Sequence, residues 1–107
     1  MAVEQVVEVI RQIVDRYIKI LEANGVRPQR VYLFGSHING NADEHSDIDL
    51  AIVSDSFSGS RFRDRELLMR LRRPVDLRIE PHPFLPEEFT ADNPEAAEIV
   101  SSGLLLF

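Results

Sequence analysis

Residues 46–54, SDIDLAIVS, constrain the fold more than any other stretch. Ile48, Leu50 and Ile52 alternate with Asp47, Asp49, Ala51 and Val53. A period of two puts the two sets on opposite faces of one β-strand. One face calls for a packed layer. The other carries two carboxylates whose Cα atoms stand about two strand rises, roughly 7 Å, apart. A sheet packed on one side, with its acids at an opening on the other, satisfies both demands.

The flanking segments supply that layer. Val3, Val6, Val7, Ile10, Ile13, Val14, Tyr17 and Leu21 recur at helical spacing, and Gly25 supplies a stop. Residues 30–34 read as a first strand ahead of the one at 46–54. Leu67, Leu68 and Leu71 mark a short helix over 63–71, which Pro74 ends. Val75, Leu77 and Ile79 then alternate with Asp76, Arg78 and Glu80, which predicts a third strand over 75–80. The proline-dense run that follows, PHPFLPEEFTADNP, reads as a surface loop. Asn93 caps a last helix with Pro94 at its first position and Gly103 as its stop, and the closing LLLF is expected to dock. The fold expected is α/β, a single domain over residues 1–107. It is a mixed (α+β) sheet of about three to five strands with helices mainly on one face and the carboxylates at a cleft on the other.

Composition narrows the setting. Without cysteine there is neither a disulfide framework nor a thiolate metal site. The opening MAVEQVVEVIRQ lacks a basic start and a continuous apolar core, and no apolar run approaches the length of about 20 residues that a membrane span needs. A cytoplasmic protein is the simplest expectation. The net charge of −6 argues against a surface that wraps nucleic acid, and direct nucleic-acid binding is not expected. Charge is nonetheless uneven: residues 61–73 hold six arginines and stand at +4, leaving the rest at −10.

Two carboxylates converging in a partly buried place repel each other, and a bound divalent cation relieves them. Oxygen donors without cysteine or paired histidine select a hard ion such as Mg²⁺ or Mn²⁺. Asp76 would add a third ligand if its strand lies beside the second. Gly35 and Ser36 fall where the first strand turns, so the backbone can approach a ligand closely and the amides and hydroxyl can hold a phosphate. Metal ligands and a phosphate cradle within about fifteen residues point to chemistry on a nucleoside triphosphate. An EF-hand reading of the acidic loop fails, because counting from Asp43 its sixth position is Ile48 and not glycine. His37, His45 and His82 are not spaced as a metal set.

The order Gly35, Ser36, a polar loop, then Ser46, Asp47, Asp49 and Leu50 resembles the minimal nucleotidyltransferase family of the polymerase-beta superfamily. The likeness runs over almost the whole chain, from the opening helix to the ending SSGLLLF. It implies that Gly35 and Ser36 bind nucleotide and that Asp47 and Asp49 hold two Mg²⁺ ions. Asp76 in PVDLRI matches the third, metal-binding carboxylate, which by that resemblance lies nearest the attacking hydroxyl and acts as its base or orienter. Ile38, Asn39 and Gly40 depart from the family's Ala-Arg-Gly, so a guanidinium is missing at Asn39.

Larger relatives carry a second domain for the acceptor, for which this chain has no residues. Stand-alone members of this size are typically antitoxins that transfer AMP from ATP to a HEPN-type toxin. The resemblance therefore implies such a transferase, in a homo- or hetero-oligomer. Two alternatives stay open: a catalytically silent domain that neutralises its partner by binding, and an enzyme that modifies a small molecule or RNA end with a partner chain completing the site.

Overall fold

The computed structural model describes residues 3–40, 42–43 and 45–107, with side chains from residue 6 onward. Helix α1 (Val3–Ala23) leads into β1 (Arg30–Phe34), a single helical turn α2 (Ser36–Asn39) and β2 (Ile48–Val53). Then follow α3 (Arg61–Leu71), β3 (Ile79–Phe84), α4 (Pro94–Ser102) and β4 (Leu104–Leu105). The strands form one mixed sheet in the order β3-β2-β1-β4. β1 runs antiparallel to β2 and to β4, whereas β2 and β3 are parallel, with α3 as the crossover that a parallel pair requires. This is the small α/β mixed sheet expected from the alternation at residues 46–54.

Ile48, Leu50 and Ile52 are fully buried beneath α1 and α3, together with Val31, Leu33 and Ile79. Burying each such side chain contributes about 1.5–3 kcal/mol. The apolar stripe of α1 packs here from Ile10 to Leu21, while the place of Val3 in it lies outside the described side chains. The Tyr17 hydroxyl donates to the Leu68 carbonyl at 2.7 Å and ties α1 to α3. Burial pushes that phenol above its ordinary pKa, so the proton stays in the bond.

A smaller cluster covers the other face: Tyr32, Ala51, Val53 and Phe84 pack with Phe89 and with Ala96 and Ile99 around α4. Phe34 and Asp49, opposite each other at the far end of the β1–β2 pair, are only half-buried.

The expected helix caps are present. The Asn93 side chain accepts hydrogen bonds from the N–H groups of Glu95 and Ala96 at 3.0 and 3.4 Å, Pro94 opens α4 and Gly103 closes it. Ser60 caps α3 and extends it back to Arg61. The terminal LLLF docks through alternate residues, with Leu105 and Phe107 left exposed. Leu104 and Leu106 pack against the core, and Leu106 N–H donates to the Val31 carbonyl at 2.8 Å. No helix among the described residues is long and apolar enough to cross a membrane.

The third strand differs from expectation. It covers Ile79–Phe84, through the prolines assigned above to a loop, and residues 75–78 form the turns before it. The cause is its place at the sheet edge. Arg78 and Phe84 bond β2 through their carbonyls, so the even-numbered positions face the neighbouring strand. Pro81 and Pro83 occupy odd positions, whose N–H groups would point outward, and an edge strand tolerates proline there. On the same outer side Arg72 caps the Leu77 and Ile79 carbonyls at 3.0 and 2.8 Å.

Candidate active site

Asp49 is the second residue of β2. It lies opposite Phe34 on β1 and in register with Glu80 on β3. Its carboxylate is held at both ends. Oδ1 stands 3.3 Å from Nε2 of His82. Behind Oδ2 runs the backbone of Gly35, where a Cβ would overlap that oxygen and come within 3.2 Å of Cγ. Gly35 has φ +79° and ψ −146°, a conformation close to glycine's own. Its carbonyl accepts the Ile38 and Asn39 N–H groups at 3.0 and 3.1 Å, which closes α2. The glycine of the Gly-Ser pair is thus needed twice, for the turn and for room beside Asp49.

Ser36 opens α2 and is half-buried. Asp47 is exposed one position ahead of β2. Asp76 lies in the turn before β3, outside the ladder. Its Oδ1 accepts from the Arg78 N–H at 2.9 Å and from Nε at 3.0 Å, and its Oδ2 from Nη2 at 2.8 Å. The Arg78 guanidinium holds this carboxyl below the usual carboxylate range, against the opposing effect of burial. The β3 carboxylate in register with Asp49 is that of Glu80.

By sequence, Glu80 falls on the expected third strand and His82 is only one of three histidines not spaced as a metal set, so neither is assigned to the site there. The readable signal is IEPHPF itself, in which Glu80 and His82 alternate with apolar positions, but the prolines disguised it as a loop. Arg65 reaches Glu80 at 3.0 Å and Arg72 at 3.6 Å, so the arginine-rich segment does extend to this strand. Arg61 instead pairs with Glu95 at 3.4 Å and lies 5.3 Å from the centre of the Phe84 ring. Asn39, at the position where the resemblance leads one to expect arginine, is exposed. His37 lines a groove with Val6, Ile10 and Asp43, and neither of its buried ring nitrogens has a hydrogen-bond partner among the described residues.

Among the described residues no three acidic, histidine or cysteine side chains converge as metal ligands. Asp47 and Asp49 still fit a hard divalent cation. Mg²⁺ is commonly held by one or two carboxylates, with water and phosphate oxygens in its other positions. Asp49 is half-buried and flanked by Gly35 and His82, while Asp47, two positions earlier in the chain, is exposed.

The family described as "Polymerase beta, Nucleotidyltransferase" matches residues 15–107, which include the Gly-Ser turn, Asp47 and Asp49. No curated protein matches the chain. Nucleotidyltransferases of this superfamily move nucleoside monophosphate groups and generally use a nucleoside triphosphate with Mg²⁺. A match that runs from within α1 through all four strands to the last residue places the chain in the polymerase beta nucleotidyltransferase family.

Proposed function

We propose that the protein is a Mg²⁺-dependent nucleotidyltransferase that moves AMP from ATP to a hydroxyl of a protein partner, and that it serves as the antitoxin of a HEPN-type toxin. The observation that carries this reading is Asp49, pinned between Gly35 and His82 two positions after an exposed Asp47. Asp47 is exposed and Asp49 partly so, which leaves both carboxylates accessible to substrate.

In the reaction the acceptor oxygen attacks the α-phosphorus. The bond from that phosphorus to the bridging oxygen of the β-phosphate breaks, pyrophosphate leaves, and the hydroxyl proton passes to a carboxylate or to water. Bound Mg²⁺ supplies charge neutralisation at the attacking and leaving oxygens. Asp47 and Asp49 would hold it. Gly35 lets the backbone approach the phosphates, with Ser36 at the head of α2 beside it.

A silent binding module is the second reading, favoured by Asn39 in place of the family's arginine. One experiment separates the two. The protein is co-expressed with a helical HEPN-type partner, and the complex is incubated with ATP labelled at the α-phosphate. Transfer of label to the partner, abolished in Asp49→Ala, is the result expected. No transfer, with inhibition of the partner equally preserved in Asp49→Ala, leaves only the binding module.

A further inference from the structure

We infer that His82 is a positioning residue for Asp49, fixing the carboxylate in the orientation that receives a divalent cation; this rests on the reading of Asp47 and Asp49 as cation ligands. The sheet register creates the contact. His82 pairs with Ala51, the next position after Asp49 on that face of β2. Ala51 is fully buried and ends at Cβ, so no longer side chain stands between the imidazole and the Asp49 carboxylate. Phe34, which pairs with Asp49 from β1, meets the same imidazole with ring centroids 5.1 Å apart and planes inclined at 59°. The ring therefore spans β2, touching Asp49 on the central strand and Phe34 beyond it.

The polarity of the contact follows from the acceptor. An ionised carboxylate only accepts, so Nε2 carries the proton and donates it to Oδ1. Rotation about the last torsion of an aspartate is ordinarily broad. Here Oδ1 is tethered by His82 and Oδ2 is backed by Gly35, so the carboxylate is stopped at both ends. The remaining lone pairs stay open to the side where Asp49 is solvent-accessible, its side chain being 26% exposed. Groups that orient a metal-binding carboxylate in this way commonly change metal affinity by about 10–100-fold when removed.

A purely structural role is the competing account, since the His82 ring also packs on Phe34. The substitutions separate the two. His82→Phe keeps a ring against Phe34 and removes the donor. His82→Gln keeps an N–H donor that can reach Oδ1, and His82→Asn carries a donor too short to do so. Mn²⁺ binding to the whole chain is followed by the electron paramagnetic resonance of free Mn²⁺, and urea unfolding of each variant reports stability.

We expect His82→Phe and His82→Asn to bind Mn²⁺ about 10–100-fold more weakly than the wild type, and His82→Gln to recover most of the loss. These differences should not follow the order of stability. Wild-type affinity in His82→Phe and His82→Asn, or a His82→Gln protein as weak as His82→Phe, overturns the inference. Wild-type protein that binds no Mn²⁺, and is indistinguishable from Asp49→Asn, refutes the cation reading itself and this inference with it.

Discussion

Substituting Gly35 by alanine tests the geometry of the site at its tightest point. At φ +79° and ψ −146° the backbone lies where an L-residue is strained, by about 1–3 kcal/mol. The added Cβ would overlap Oδ2 of Asp49 and approach its Cγ to 3.2 Å, so the carboxylate must turn away or the β1–α2 turn must shift. Turning away loses the His82 contact, about 0.5–1.5 kcal/mol. The total is about 2–4 kcal/mol. For a domain of this size that lowers Tm by about 10–25 °C.

Gly25→Ala is the control: φ there is +86°, but a Cβ would meet nothing within 4 Å. It should lose only the left-handed backbone penalty, about 1–2 kcal/mol. Urea unfolding of both variants, with Mn²⁺ binding measured alongside, reads the difference. Gly35→Ala that is no less stable than Gly25→Ala and still binds Mn²⁺ as the wild type does would refute the argument.

Asp64 is buried at the start of α3 and accepts from the Ser58 N–H, the Ser58 hydroxyl and the Gly59 N–H at 2.9, 2.9 and 3.2 Å. Asp64→Ala should lose about 2–3 kcal/mol of stability in urea, and a loss below about 0.5 kcal/mol would show that these bonds contribute little. Asp76 has a folded-state pKa depressed by Arg78, so its contribution is present above the unfolded carboxylate pKa and is lost as pH falls through the folded one. The wild type should therefore exceed Asp76→Asn by about 1 kcal/mol near neutral pH, and the gap should close below about pH 4. A gap that stays constant into acid would remove the ion pair as its source.

Local chemistry decided much of this molecule. The alternation around Asp47 and Asp49 is a property of the chain alone: a period of two assigns Ile48, Leu50 and Ile52 to the packed face of β2 wherever that strand lies. Gly25, Asn93 and Pro94 set helix ends through their own dihedral and hydrogen-bonding preferences, which need no distant partner. Gly103, at φ −85°, is needed instead because a Cβ would press on the carbonyls of Ile99 and of the distant Leu33.

What lay outside the sequence depends on which strand stands beside which. Pro81 and Pro83 argue against a strand until β3 is known to be the sheet edge, with their missing N–H groups directed outward. Once that edge exists, the parallel register brings Glu80 and His82 beside Asp49 and Ala51, while Asp76 stays in the turn with Arg78. Nor does sequence spacing relate Gly35 to Asp49, fourteen positions apart; only the antiparallel pairing of β1 with β2 closes them into contact. The sequence by itself determined α1, α3, α4, β1 and β2, with the alternation that carries the two aspartates, because those rest on neighbouring residues. The tertiary structure alone decided the company Asp49 keeps, because pairing between strands is non-local.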